Sequence, residues 1–161
     1  MSDVEAPPIE ELIPHRGESI LLDRVIAHDR ESTTVELIVG SQRWLTQRDG
    51  SVASWLAVEY MAQCVAAHEG MLARAEGRIL SLGFLVSVTR LRLGASRFRG
   101  DEQLRVSARR IRGRPGLGVL SHACAIFAAS DDPEAEPVAE GRLSIAVERP
   151  NEATLRTRNS A

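Results

Sequence analysis

The sequence predicts an α+β domain in which one antiparallel sheet curls around a single buried helix. Residues 52–67, VASWLAVEYMAQCVAA, are apolar almost all round and rich in helix formers, so a helix there must be buried on most sides. Strand-like segments flank it, two before and four after, in the order ββαββββ. At 161 residues the chain has the size of one domain and is too short for two that each bury a full core. A helix with almost no polar face and a sheet with one apolar face bury each other.

Residues 1–8 read as a loose arm and 150–161 (PNEATLRTRNSA) as a polar tail, which leaves 9–149 as the folded unit. A short helical piece over 9–13 meets Pro14, which disfavours helix at the residue before it. Strands follow at 20–27 and 33–39, the second placing Thr33, Val35, Leu37 and Val39 on one face. The central helix is shorter than the roughly 20 apolar residues of a membrane span, and Glu59 and Gln63 interrupt it. Four strands come after it, at 82–93, 104–111, 119–127 and 138–147. Turn signals at 94–100, 113–118 and 131–137 separate them. In the last strand Ala139, Gly141, Leu143, Ile145 and Val147 share a face against Glu140, Arg142 and Ser144, as in an antiparallel sheet with one wet side.

Composition narrows the chemistry. Apolar residues make up 43% and charged residues 26%, the mixture of a soluble globular domain. All 20 basic residues are arginine, so mechanisms that need a Schiff-base or P-loop lysine are excluded. Few aromatics and a net charge of -2 argue against a nucleic-acid binder built on stacking and a basic field. Cys64 and Cys124 lie far apart with no CxxC or Cys/His ligand spacing, so they read as small core hydrophobes, and neither a disulfide nor a metal site is expected. The N-terminus shows no basic segment followed by an apolar one, which makes the cytoplasm the expected location. GxSxG, HExxH, Walker A and GxGxxG patterns do not occur.

The strongest local signal is Glu59 with Gln63, whose i, i+4 spacing puts them on one helix face. A carboxylate buried among apolar residues is costly, and its proton affinity should rise, which suits a general acid. The plainer reading is a Glu that reaches solvent or pairs with an arginine across a contact. Among the histidines, His15 sits in the loop IPHRGE, where site residues are displayed, and is the candidate base by elimination, with loop anchoring as the rival. His28 reads as solvated among charges. His68, nine residues after Glu59, points away from it. His122 alternates with Leu120, Cys124 and Ile126 and reads as a satisfied strand histidine.

IPHR at 13–16, LLDRV at 21–25, EYMAQ at 59–63, SRFRGDEQLRV at 96–106 and VAEGRLSIAV at 138–147 occur in an order that resembles the hotdog-fold 3-hydroxyacyl-[acyl carrier protein] dehydratases, FabZ-like in general and ApeP-like in particular. The resemblance implies a sheet wrapped around one long helix and two protomers whose sheets join. It implies an acyl thioester on phosphopantetheine, with no other cofactor. Family dehydratases use a histidine from one protomer to remove the C2 proton and a helix acid from the other to help the C3 hydroxyl leave, while an amide at the helix start polarises the thioester carbonyl. Carried over, the acid falls on Glu59 and its companion on Gln63, and the helix start falls on Ser54, Trp55 and Leu56.

The family's usual histidine, in an HFPGxPxxPG loop before the helix, has no counterpart; residues 42–54 read QRWLTQRDGSVAS. Three readings stay open. His15 supplies the base; or the chain is a non-catalytic or half-active subunit of a heteromer with a related hotdog protein; or it is a thioesterase in which Glu59 activates water. Residues 90–114 hold nine arginines against Asp101 and Glu102, a formal +7 that leaves -9 for the rest. Arg90, Arg92, Arg105 and Arg109 should project from the wet side of the sheet. They form either an ordinary solvated face or a landing patch for an acidic carrier protein and its phosphate.

Overall fold

The computed structural model describes residues 6–41, 43–114, 117–130, 132 and 134–147. A four-residue helix, α1 (Ile9–Leu12), stops before Pro14 as the backbone turns extended at Ile13. Two strands follow, β1 (Arg24–His28) and β2 (Ser32–Ile38), then a two-residue strand β3 (Val52–Ala53), a 3₁₀ turn (Ser54–Leu56) and the long helix α2 (Ala57–Ala75). Beyond α2 come β4 (Gly83–Leu93), β5 (Arg97–Phe98), β6 (Gln103–Arg114), β7 (Leu117–Ala128) and β8 (Ala139–Val147). The main sheet is antiparallel in the order β1-β2-β6-β7-β8-β4, and β3 pairs with β5 separately. This is the hotdog fold, with α2 as the wrapped helix.

The alternation expected of the second strand is found in β2, where Thr33, Val35, Leu37 and the following Val39 are all buried. In β8 the inward set is Ala139, Gly141, Leu143 and Ile145. These side chains close on Ala57, Tyr60, Met61, Cys64, Val65 and Ala67 of α2, and Ile9, Leu12 and Ile13 of the α1 segment seal the same core. Both cysteines are free and buried, and burial pushes their thiols up, that of Cys124 to about 12, so they are the inert core residues expected.

Three boundaries depart from the sequence expectation. The first strand begins at Arg24 rather than residue 20, because the amide of Leu21 is given to the Gln63 side chain instead of a ladder. Residues 52–56 are not helix: β3 is held by Phe98 and Arg97, and the chain then tightens into a 3₁₀ turn. The helix runs on past residue 67 to Ala75 and ends where Gly77 takes a positive φ of 63°. The expected arm is only partly open to description; residues 1–5 lie outside the described residues, and Ala6 packs against the core. The expected tail at 150–161 lies outside them entirely.

Candidate active site

The Pro14 stop and the turn that follows carry His15 onto α2. Gly70 makes this approach close, since a Cβ there would stand 2.1 Å from the Leu12 carbonyl oxygen. His15 Nε2 then lies 3.4 Å from Glu59 Oε1 within one chain, rather than across two protomers. Gln63, wholly buried, fixes the carboxylate. Its Oε1 accepts the Leu21 amide at 2.9 Å, and its Nε2 donates to the Ser19 carbonyl and to Glu59 Oε1, both at 2.8 Å. Both amide hydrogens and the amide oxygen are thus used, which leaves only one orientation of the side chain.

The burial expected of Glu59 is not found. Its side chain is 44% exposed and that of His15 31%, because both open onto a cavity of about 220 Å³. From these two polar groups the cavity follows one face of α2 past Ala62, Val65, Ala66 and Ala73, with Leu85 of β4 and Ile145 of β8 among the residues on its other walls. Glu59 to Ala73 along a helix is about 20 Å. The trough is largely apolar, with Glu69 and Arg78 further along its lining, and with an acid and an imidazole at one end it has the form to take a chain-like group whose reacting carbons lie at that end.

The helix start does not border this cavity. Ser54 and Leu56 are buried, Trp55 is 64% exposed, and the Ser54 amide is already given to the Ser96 carbonyl at 3.1 Å. The four arginines expected as one patch are divided. Arg105 and Arg109 share the outer face of β6, whereas Arg90 and Arg92 lie on β4, three strand steps or about 14 Å away. On β4 the expected contrast between arginine and leucine fails. The register slips between Thr89 and Arg92, Arg90 takes a positive φ of 53°, and Leu91 and Leu93 are exposed as well. Arg92 pairs with Glu140 at 3.0 Å.

Two histidine readings are corrected. His28 is half-buried rather than solvated, with Nδ1 2.7 Å from the Thr33 hydroxyl, and burial lowers its pKa. His122 is not satisfied, since neither ring nitrogen has a hydrogen-bond partner although the side chain is wholly buried. His68 does point away from Glu59, into the core, where Nδ1 meets Thr33 Oγ1 at 2.9 Å. Burial, and then the neighbouring His122, His28 and Arg110, hold His68 down to about 3; burial and Arg110 hold His122 down to about 4. The sequence reading also missed Glu69, which lies on the cavity wall, because it ended the helix at residue 67.

Residues 7–156 match the ApeP-like family, described as ApeP dehydratase. The chain belongs to the ApeP-like family. Among solved structures it is similar to the dehydratase heterocomplex ApeI:P from Xenorhabdus doucetiae, with a TM-score of 0.81 and 20% identity over 98% of this chain and 100% of that one. AziG from S. sahachiroi shares the fold at a TM-score of 0.56 and 16% identity, over 79% of this chain and 91% of that one. So does a hypothetical thioesterase with coenzyme A from Streptococcus pneumoniae, at 0.55 and 11%, over 80% and 87%. No curated protein matches the chain. Among the described residues of this ApeP-like protein no helix is long and apolar enough to cross a membrane.

Proposed function

We propose that this ApeP-like protein dehydrates a 3-hydroxyacyl thioester, carried on the phosphopantetheine of an acyl carrier protein, to the trans-2-enoyl thioester. The observation that carries the reading is the His15–Glu59 pair at one end of a largely apolar cavity. His15 removes the C2 proton, the C–H electron pair becomes the C2=C3 double bond, and the C3–O bond breaks as Glu59 protonates the departing hydroxyl, releasing water. The proton held by His15 then passes to Glu59 across their 3.4 Å contact, which restores both groups. Gln63 keeps the carboxylate aimed. Arg105 and Arg109 on one side and Arg90 and Arg92 on the other are the proposed contacts for the acidic carrier.

The edge strand β4 exposes Phe84, Leu85, Val86 and Leu91, which supports pairing with a second hotdog subunit. A second reading has its own support. The HFP-loop histidine is missing, and the similar ApeI:P structure is a heterocomplex, so this chain would be the non-catalytic or half-active subunit of a mixed pair.

The test is to supply a carrier-bound 3-hydroxyacyl substrate to the isolated chain and to its mixture with a related hotdog subunit. Enoyl product from the isolated chain supports the first reading and excludes the second; product only from the mixture supports the second. A saturated acyl thioester, which has no hydroxyl to lose, should release no free acid; release would replace both readings with a thioesterase.

A further inference from the structure

A second polar cluster lies where α2 packs against β7. His68 and His122 are wholly buried, their rings meet edge-on with centroids 5.8 Å apart, and His68 Nε2 and both nitrogens of His122 have no hydrogen-bond partner. His122 Nε2 is 4.0 Å from Glu69 Oε1. One donor atom from each of His68, Glu69 and His122 lies within 4.8 Å of the other two.

Thr33 completes the arrangement. Its hydroxyl sits between His68 Nδ1 at 2.9 Å and His28 Nδ1 at 2.7 Å, and it can donate to only one of them. When the hydroxyl donates to His28, His68 Nδ1–H donates to the hydroxyl, and the lone pair of His68 is left on Nε2, which faces the cluster. A metal-binding imidazole is held by its other nitrogen in this way.

We propose that His68, His122 and Glu69 form a binding site for a divalent transition-metal ion of the zinc class, which ties α2 to β7. Two imidazoles and a carboxylate are a donor set zinc accepts, with bonds of about 2.0–2.2 Å. Donors within 4.8 Å of one another reach such an ion by drawing in by about 1 Å. Glu69 borders the cavity, so an ion can enter from there and a water can fill a remaining position. Arg110, opposite His122 in the sheet register, gives one terminal nitrogen to the Arg30 carbonyl at 3.0 Å while the other stays buried without a hydrogen-bond partner; its charge opposes a cation, which the Glu69 carboxylate attracts. No local spacing betrays the site, because its ligands come from a helix and a strand more than fifty residues apart.

The experiment uses the full chain, stripped with EDTA and dialysed, then titrated with zinc chloride by calorimetry and with cobalt(II) followed by visible absorption. One zinc ion per chain and the intense cobalt bands of a low-symmetry site are expected. His15→Ala should bind metal normally, whereas Glu69→Gln and His122→Gln should abolish stoichiometric binding, and Thr33→Val should weaken it by about 10- to 100-fold. Circular dichroism identifies any variant that fails to fold, and Glu69→Gln, which keeps the size of the side chain, is the one that decides. A stripped chain that takes up no zinc, or zinc binding unchanged in folded Glu69→Gln, overturns the proposal.

Discussion

Gln63 donates to the Glu59 oxygen that His15 faces, at 2.8 Å, so one buried amide sets the direction of the acid. The same side chain anchors the segment between His15 and β1 through Ser19 and Leu21. Gln63→Leu should therefore do two things at once. It leaves a buried amide N–H and a carbonyl unpaired, which costs about 2–4 kcal/mol in urea unfolding, and it releases Glu59, which lowers kcat more than it raises KM. Unchanged stability would show that these hydrogen bonds do not hold the segment.

Gly70 controls the site from beneath. An added methyl meets the Leu12 carbonyl oxygen at 2.1 Å, backbone that cannot swing away like a side-chain tip, so Gly70→Ala must push α1 off α2. The expected outcome is a loss of about 1–3 kcal/mol with a fall in kcat, because His15 follows α1. A lower melting temperature with unaltered kcat would mean that the loop position is independent of α1.

Acid should destabilise the metal-free chain through His68 and His122. Both are held far below the ordinary value of 6.5, so above that value folded and unfolded chains alike keep them neutral and their contribution is fully present. As pH falls from 6.5 towards the folded values of about 3 and about 4, only the unfolded chain takes up the protons, and stability declines. Between pH 7 and pH 4.5 the loss should be roughly 2–5 kcal/mol by urea unfolding of EDTA-treated protein, and His122→Phe should flatten part of it.

The β4 edge makes a separate prediction. Val86 is exposed on the edge strand of the sheet beside Phe84 and Leu85, so Val86→Arg should disrupt the proposed subunit pairing and leave monomers in sedimentation velocity while far-ultraviolet circular dichroism stays native. Unaltered association would place the subunit contact elsewhere.

Much of this was legible in the sequence for definite reasons. Thr33 to Val39 alternate because β2 has one face on the helix, and α2 lacks a polar stripe because the sheet wraps it. His15 and Glu59 could be nominated from their loop and helix positions, and the fold brings them together. Local pattern could not show that residues 52–56 are a strand and a 3₁₀ turn, since β3 depends on a partner more than forty residues later. Nor could it show the burial of His28 and His122 around Thr33 and His68, which follows from packing α2 onto β1, β2 and β7. Arg90 and Arg92 are exposed as expected, but their contrast with Leu91 and Leu93 fails because a bulge breaks the two-residue period.

The proposed chemistry requires His15 and Glu59 of one chain to act together on the substrate. The most direct test is single-turnover dehydration of a carrier-bound 3-hydroxyacyl thioester by wild type, His15→Ala, Glu59→Gln and the double variant, all in the assembly that shows activity. Each single change should slow the reaction by about 10²–10⁴, and the double should be little slower than the worse single, because the two groups act as a unit. A His15→Ala protein that dehydrates at the wild-type rate would show that His15 is not the base.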